Sequence, residues 1–292
     1  MKWLLTGLSI ALVVSACASN PAPAGAAVQN GLVNVNGGTL YYETLGKGAP
    51  VILIHGGFGD RRMWDDQFTP LAQAFKVIRY DHRGFGKSPA AGQTYSPVDD
   101  LVKLMDHLDL KRANLVGNSM GGTLALDFAL LQPMRTGAVV VIASTAAGYP
   151  TPEEDRRSVE TVMNAARRDG TGAAVDLWLK HPMVNVTATH PDAGPRLRTM
   201  IQDNQRLFLN EHWPAEPVSP PTYERLVELK ANVLFIVGDR DVAAVRDGAR
   251  ASAARIKGAK VETISGADHL PQMVAPDRVN KLLVDYISLN GC

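Results

Sequence analysis

Five short stretches of this 292-residue chain are dominated by apolar, largely β-branched residues, and each ends in a turn signal. Residues 51–54 stop at His55-Gly56-Gly57, 76–80 run into Asp81, and 113–116 run into Gly117; 138–143 and 233–237 repeat the design. A strand with one wet face alternates apolar and polar residues. Strands without alternation are buried on both faces, which is the condition of strands inside a parallel sheet covered by helices. Helical patterns lie between them. Ser96 caps a helix opened by Pro97, with Leu101, Leu104, Met105 and Leu108 on one face. Residues 120–131 start straight from a turn and stop before Pro133, and 276–289 place Val279, Leu282, Leu283, Tyr286 and Ile287 at helical spacing. Residues 260–264 read as a further strand, and alternating residues 39–44 as an antiparallel edge strand. The expected class is α/β: a mostly parallel central sheet flanked by helices. From 148 to 229 the strand pattern stops. Helices are predicted at 153–168, 173–180, 196–208 and 222–229, separated by Pro-rich joints. Such an insertion is best placed as a lid over the carboxyl ends of the strands, where sites in open sheets lie.

The first residues read as a signal. Lys2 supplies the positive start, 3–14 is mostly apolar but shorter than the ~20 residues of a permanent span, and small residues close it. Val14-Ser15-Ala16-Cys17 resembles a bacterial lipobox, which would make Cys17 a lipidated first residue. Ala18 is not the aspartate of an inner-membrane retention signal. The expected address is therefore an outer-membrane lipoprotein facing the periplasm, with a soluble periplasmic or secreted protein as the alternative. Pro21, Pro23, Gly25 and Gly31 among small residues suggest a tether that cannot bury enough surface to order itself. The expected organisation is a signal peptide at 1–16, a tether at 17–31, a core at 32–147 and 230–292, and a lid at 148–229. The net charge is +1, and no Lys/Arg cluster suits a phosphate backbone, which leaves nucleic-acid binding without support. Cys17 and Cys292 are the only cysteines, and lipidation of Cys17 would leave Cys292 a free terminal thiol. Metal-ligand spacing is absent, and neither metal nor cofactor is expected.

The chemistry is carried by Gly117-Asn118-Ser119-Met120-Gly121-Gly122. A serine between a predicted strand and a predicted helix, flanked by glycines, is a nucleophile elbow that lifts one hydroxyl into a site. Because a serine hydroxyl at neutral pH needs a neighbouring base, His269, in the loop between 260–264 and the last helix, is the candidate. The imidazole in turn needs an acceptor to fix its tautomer. Asp241 is preferred, since the chain ending strand 233–237 must turn before a carboxylate can point across the strand ends. Asp239 is expected to brace that turn, with Arg240 as a candidate partner, and Asp268 is read as a solvent-facing alternative. The loop His55-Gly56-Gly57-Phe58-Gly59 should leave a strand beside the elbow strand and offer backbone N–H groups to an oxyanion. Gly57 is preferred over Phe58 as first donor, with Met120 as second. His55 is expected to tie that loop by a hydrogen bond.

In order along the chain, 55–59, Tyr80-Asp81-His82-Arg83-Gly84-Phe85-Gly86-Lys87-Ser88, 117–122, 237–241 and 266–269 resemble the motifs of the α/β-hydrolase superfamily. The resemblance covers about 32–289 and points to its lid-bearing esterase, lactonase and C–C hydrolase branch. It implies an α/β-hydrolase fold, the acid at Asp241, and a purely structural loop at 81–86. Relatives that dehalogenate alkanes or open epoxides carry aspartate where this chain has Ser119. The function implied is a serine hydrolase cleaving a carboxylic ester or lactone of a small to medium, mostly apolar substrate through an acyl-enzyme. Alternatives are a C–C bond hydrolase, a cofactor-free perhydrolase or haloperoxidase, and a non-enzymatic ligand-binding relative. Met163, Trp178, Met183, Met200, Phe208 and Trp213 are candidate pocket walls from the lid.

Overall fold

The computed structural model describes residues 27–209 and 215–292. Eight strands form one sheet: β1 (Gln29–Val35), β2 (Gly38–Leu45), β3 (Pro50–Ile54), β4 (Lys76–Tyr80), β5 (Ala113–Asn118), β6 (Thr136–Ile142), β7 (Val233–Gly238) and β8 (Lys260–Ile264). Their order is β1-β2-β4-β3-β5-β6-β7-β8. The ladders from β4 through β8 are parallel, while β1 and β2 join antiparallel. In chain order α1 (Asp65–Leu71) follows β3, α2 (Pro97–His107) follows β4, and α3 (Met120–Leu131) follows β5. Between β6 and β7 come α4 (Glu153–Asp169), α5 (Thr171–Trp178), α6 (Asn185–Thr189), α7 (Ala193–Asp203) and α8 (Thr222–Arg225). The helices α9 (Ala243–Ala254), α10 (Pro271–Val274) and α11 (Pro276–Asn290) complete the chain.

The unbroken apolar runs are explained by two cores, one on each face of the sheet. On β3, Val51 and Leu53 pack with α1 and α11, while Ile52 and Ile54 pack with α2 and α3. Alternate residues thus point to opposite faces and all are buried. Helix α2 starts where expected, Ser96 Oγ accepting the N–H of Asp99 at 3.1 Å.

Two expectations at the N-terminal end need correction. Residues 29–31, assigned to the tether, already belong to β1, and β2 is not the edge of the sheet because β1 pairs outside it. Strand β1 buries only Val33 and Val35, so its apolar signal is too thin to read as a strand. The expected signal peptide and Cys17 lie outside the described residues. Among those residues no helix is long and apolar enough to cross a membrane, and no group of three or more His, Cys, Asp or Glu could hold a metal ion.

The helical insertion is bonded to the core at several points. Arg196 pairs with Asp66 at 2.7 Å, and Asn204 Nδ2 donates to buried Asp60 at 2.8 Å. Arg206 donates to the carbonyl of Gly84 at 2.6 Å. The predicted helix 196–208 ends at Asp203 and continues as a tight 3-10 turn over Gln205–Leu209. The short α6 carries no apolar periodicity and was not expected.

Candidate active site

Ser119 sits between β5 and α3 with φ 51° and ψ −119°, a left-handed conformation that costs a non-glycine residue of order 1–3 kcal/mol. The turn needs its glycines. A Cβ on Gly117 would lie 2.1 Å from the carbonyl oxygen of Gly121, and one on Gly121 would lie 2.2 Å from that of Ile54. Those contacts are with backbone, so nothing can yield. Strand β3 lies directly beside β5, as the position of the 55–59 loop required.

His269 is 5% exposed, and its Nδ1 lies 2.8 Å from Oδ2 of Asp241. The other carboxylate oxygen of Asp241 accepts the N–H of Val242 at 2.8 Å, which fixes its plane. Burial pushes the imidazole pKa down, but the charge and hydrogen bond of Asp241, helped by Asp268, hold it above its ordinary value. Nε2 of His269 is buried and has no hydrogen-bond partner, so Ser119 Oγ is not bonded to it in this state. Such bonds are often long in the absence of substrate. Ser119 and His269 line the same cavity, and the structure thus brings together the serine, the imidazole and the carboxylate expected from sequence. Gly57, Phe58 and Met120 line it as well.

The backbone of His269 is held from two sides that the sequence did not announce. Asn118 Nδ2, next to the elbow serine, donates to the His269 carbonyl at 3.0 Å. The His269 N–H donates to the carbonyl of Met183 in the lid at 3.0 Å. Asp268 corrects an expectation: it is fully buried, not solvent-facing. Its carboxylate accepts the N–H of Thr187 at 2.8 Å and the Thr187 hydroxyl at 2.5 Å, both from α6. Burial raises the Asp268 pKa, and those bonds oppose the rise. Asp239 does not brace its own turn with Arg240: its carboxylate accepts Gly266 N–H at 2.7 Å and the Ser265 hydroxyl at 3.1 Å, tying the end of β7 to the loop after β8. His55 ties its loop: its Nε2 accepts the N–H of His82 at 3.0 Å, so Nδ1–H donates to the Gly56 carbonyl at 2.8 Å. In the 81–86 loop, Asp81 is occupied by Arg61 and the N–H of Lys87.

The cavity has a volume of about 740 Å³ and is mostly apolar. Of the proposed walls, Trp178, Met183 and Met200 line it, while Met163 and Phe208 do not. Phe208 instead stacks on Phe58 at 4.4 Å between ring centroids, and Met163 packs within the lid core. Trp213 lies outside the described residues. The lining also includes two carboxylates for which the sequence announced no role, Asp127 and Glu216. His181 was also unassigned: its ring stacks on Trp178 behind the cavity wall, and its pKa is lowered by burial and by His269 nearby.

Fold and site together define a hydrolase of the α/β type, and the chain belongs to the alpha/beta hydrolase family, whose profile matches residues 51–282. Among curated relatives, the 2-hydroxy-6-oxo-6-phenylhexa-2,4-dienoate hydrolase of Comamonas testosteroni is 27% identical, over 85% of this chain and 91% of that one. Among solved structures, a thermophilic esterase from Thermogutta terrifontis is 28% identical with a TM-score of 0.76, covering 89% of this chain and 98% of that chain. Est816, described as an N-acyl homoserine lactone degrading enzyme, is 25% identical with a TM-score of 0.72, over 88% and 100% of the two chains.

Proposed function

We propose that the protein is a serine hydrolase that cleaves a carboxylic ester or lactone of a small to medium, mostly apolar substrate. The carrying observation is His269, oriented by Asp241 through Nδ1 and presenting an unpartnered Nε2 to the cavity that Ser119 lines. In this reading Nε2 takes the proton of Ser119 as its oxygen attacks the acyl carbon. Backbone N–H groups of Gly57 and Met120 stabilise the oxyanion, each such donor contributing about 3 kcal/mol. The imidazolium then protonates the leaving alcohol, and water activated by His269 releases the acid.

The cavity wall favours this reading over C–C cleavage. The Comamonas relative is named for a dienoate, an anion, whereas among the described residues no Lys or Arg lines this cavity and two carboxylates do. An anion brought there would lose its hydration and meet two carboxylates without gaining a cationic partner. A fluorophosphonate probe should label Ser119 and fail to label Ser119→Ala. A panel of p-nitrophenyl esters of rising acyl length, run beside lactones and the dienoate, then ranks the substrates. Faster turnover of the dienoate than of any ester would replace this reading with C–C hydrolysis, and absence of labelling on folded protein would favour a binding protein. The motif Val14-Ser15-Ala16-Cys17 supports a further proposal, attachment to the outer membrane through lipidated Cys17. Cys17→Ser should then move the protein from the membrane fraction to the soluble one; an unchanged distribution would refute it.

A further inference from the structure

The cavity has a charged end that the hydrolytic steps do not use. Ser119, Thr123, Asp127 and Leu131 all line it at intervals of four residues, so it runs beside α3 from the elbow outward. At 1.5 Å of rise per residue, Asp127 stands about 12 Å along the helix from the serine. One oxygen of its carboxylate accepts the Thr222 hydroxyl at 2.5 Å; the other has no hydrogen bond among the described residues. Among the described residues, the remaining titratable groups on the wall are Glu216, Tyr95, His82 and His269, and no Lys or Arg is among them. Burial pushes Asp127 up to about 6, opposed by the Thr222 bond, which leaves it ionised near neutral pH. Asp127 is half-buried and lines the cavity, and its free oxygen is not among the buried unpartnered atoms, so it is open to water or to a group of complementary charge entering the cavity.

We propose that Asp127 is a specificity-determining residue, receiving an ammonium group carried by the substrate at the end remote from the scissile ester, about two helical turns from the reacting carbonyl. This rests on the ester hydrolase reading and sharpens it to esters with a cationic tail. The apolar wall between Ser119 and Asp127 takes the intervening chain, and the negative end attracts the cation while repelling carboxylate-tailed analogues. Glu216, exposed at the rim, adds to the same field.

Matched pairs of p-nitrophenyl esters test this. In each pair one acyl chain ends in trimethylammonium and the other in the isosteric tert-butyl group, with butanoyl, octanoyl and dodecanoyl spacers. Well above pH 6, the ratio of kcat/KM, cationic over neutral, should reach about tenfold or more at the spacer that spans the two turns. It should fall towards one below pH 6 and in Asp127→Asn, which can still accept from Thr222. Both esters share the His269 titration, so it cancels from the ratio. Thr222→Val removes the bond that opposes the upward shift of Asp127, so the preference should persist at high pH and be lost at a higher pH than in wild type. Calorimetric binding of the corresponding methyl esters to Ser119→Ala reads the same ratio without turnover. If no ester is cleaved but the cationic one binds preferentially, the hydrolase reading fails and the cation site stands. A ratio near one in wild type, or one unchanged by Asp127→Asn, overturns the proposal and leaves Asp127 as a tie to α8.

Discussion

Replacing Asp241 by asparagine should stop the reaction through the tautomer of His269 and leave the fold in place. The carboxylate has two neighbours, and they ask for different things. The backbone N–H of Val242, 2.8 Å from Oδ1, can be satisfied only by an acceptor. An asparagine in the same plane must therefore keep its amide oxygen there. That places the NH2 group opposite Nδ1 of His269, where Oδ2 now lies at 2.8 Å. The ring nitrogen is forced to accept, the imidazole proton moves to Nε2, and the atom that should take the serine proton already carries one. A change of this kind costs about 10⁴ in kcat, which at 1.36 kcal/mol per tenfold is about 5.5 kcal/mol of transition-state stabilisation. Both hydrogen bonds survive in the folded state and the side chain keeps its volume, so stability should change by no more than about 1 kcal/mol. Steady-state hydrolysis of a p-nitrophenyl ester, measured beside a thermal melt of the same sample, separates the two quantities. Activity within about tenfold of wild type would refute the tautomer argument. So would a loss of activity that merely follows a loss of folded protein.

Two further outcomes follow from the same neighbourhood. His269 must be neutral to act as base and its pKa is held above the ordinary histidine value, so kcat/KM should fall as pH drops through a midpoint above 6.5; a midpoint below that value would contradict the dominance of Asp241 over burial. Asp268→Ala strips the acceptor from the N–H and hydroxyl of Thr187, leaving buried donors unpaired; a net cost of about 2 kcal/mol should lower Tm by roughly 4–8 °C, and a Tm within about a degree of wild type would show that α6 is not held by this bond.

The candidate site was legible because a nucleophile elbow demands unusual backbone, and unusual backbone leaves marks in sequence. A serine at positive φ needs glycines at 117 and 121, where any Cβ would strike a carbonyl, and the buried strands β3 and β5 need unbroken apolar runs. Asp241 and His269 were legible because strand ends place them at the same rim as Ser119. The unread parts share the opposite property: ordinary residues whose role depends on a distant partner. Asp268 stands beside a loop histidine and reads as solvated, yet it is sealed by Thr187, 81 positions away on a helix too short for periodicity. Asp127 occupies an apolar helix without interrupting its pattern, and only the packing of α3 against the cavity turns it into a charged wall. In the lid, Met163 and Met200 are chemically identical and both lie on predicted helices. Which of them lines the cavity depends on how α4 and α7 are rotated against the core; α7 is tied there by contacts such as Arg196–Asp66 and Asn204–Asp60 that no local pattern encodes. The candidate reacting groups are therefore written in short motifs, whereas the cavity wall is distributed over pairings between lid and core.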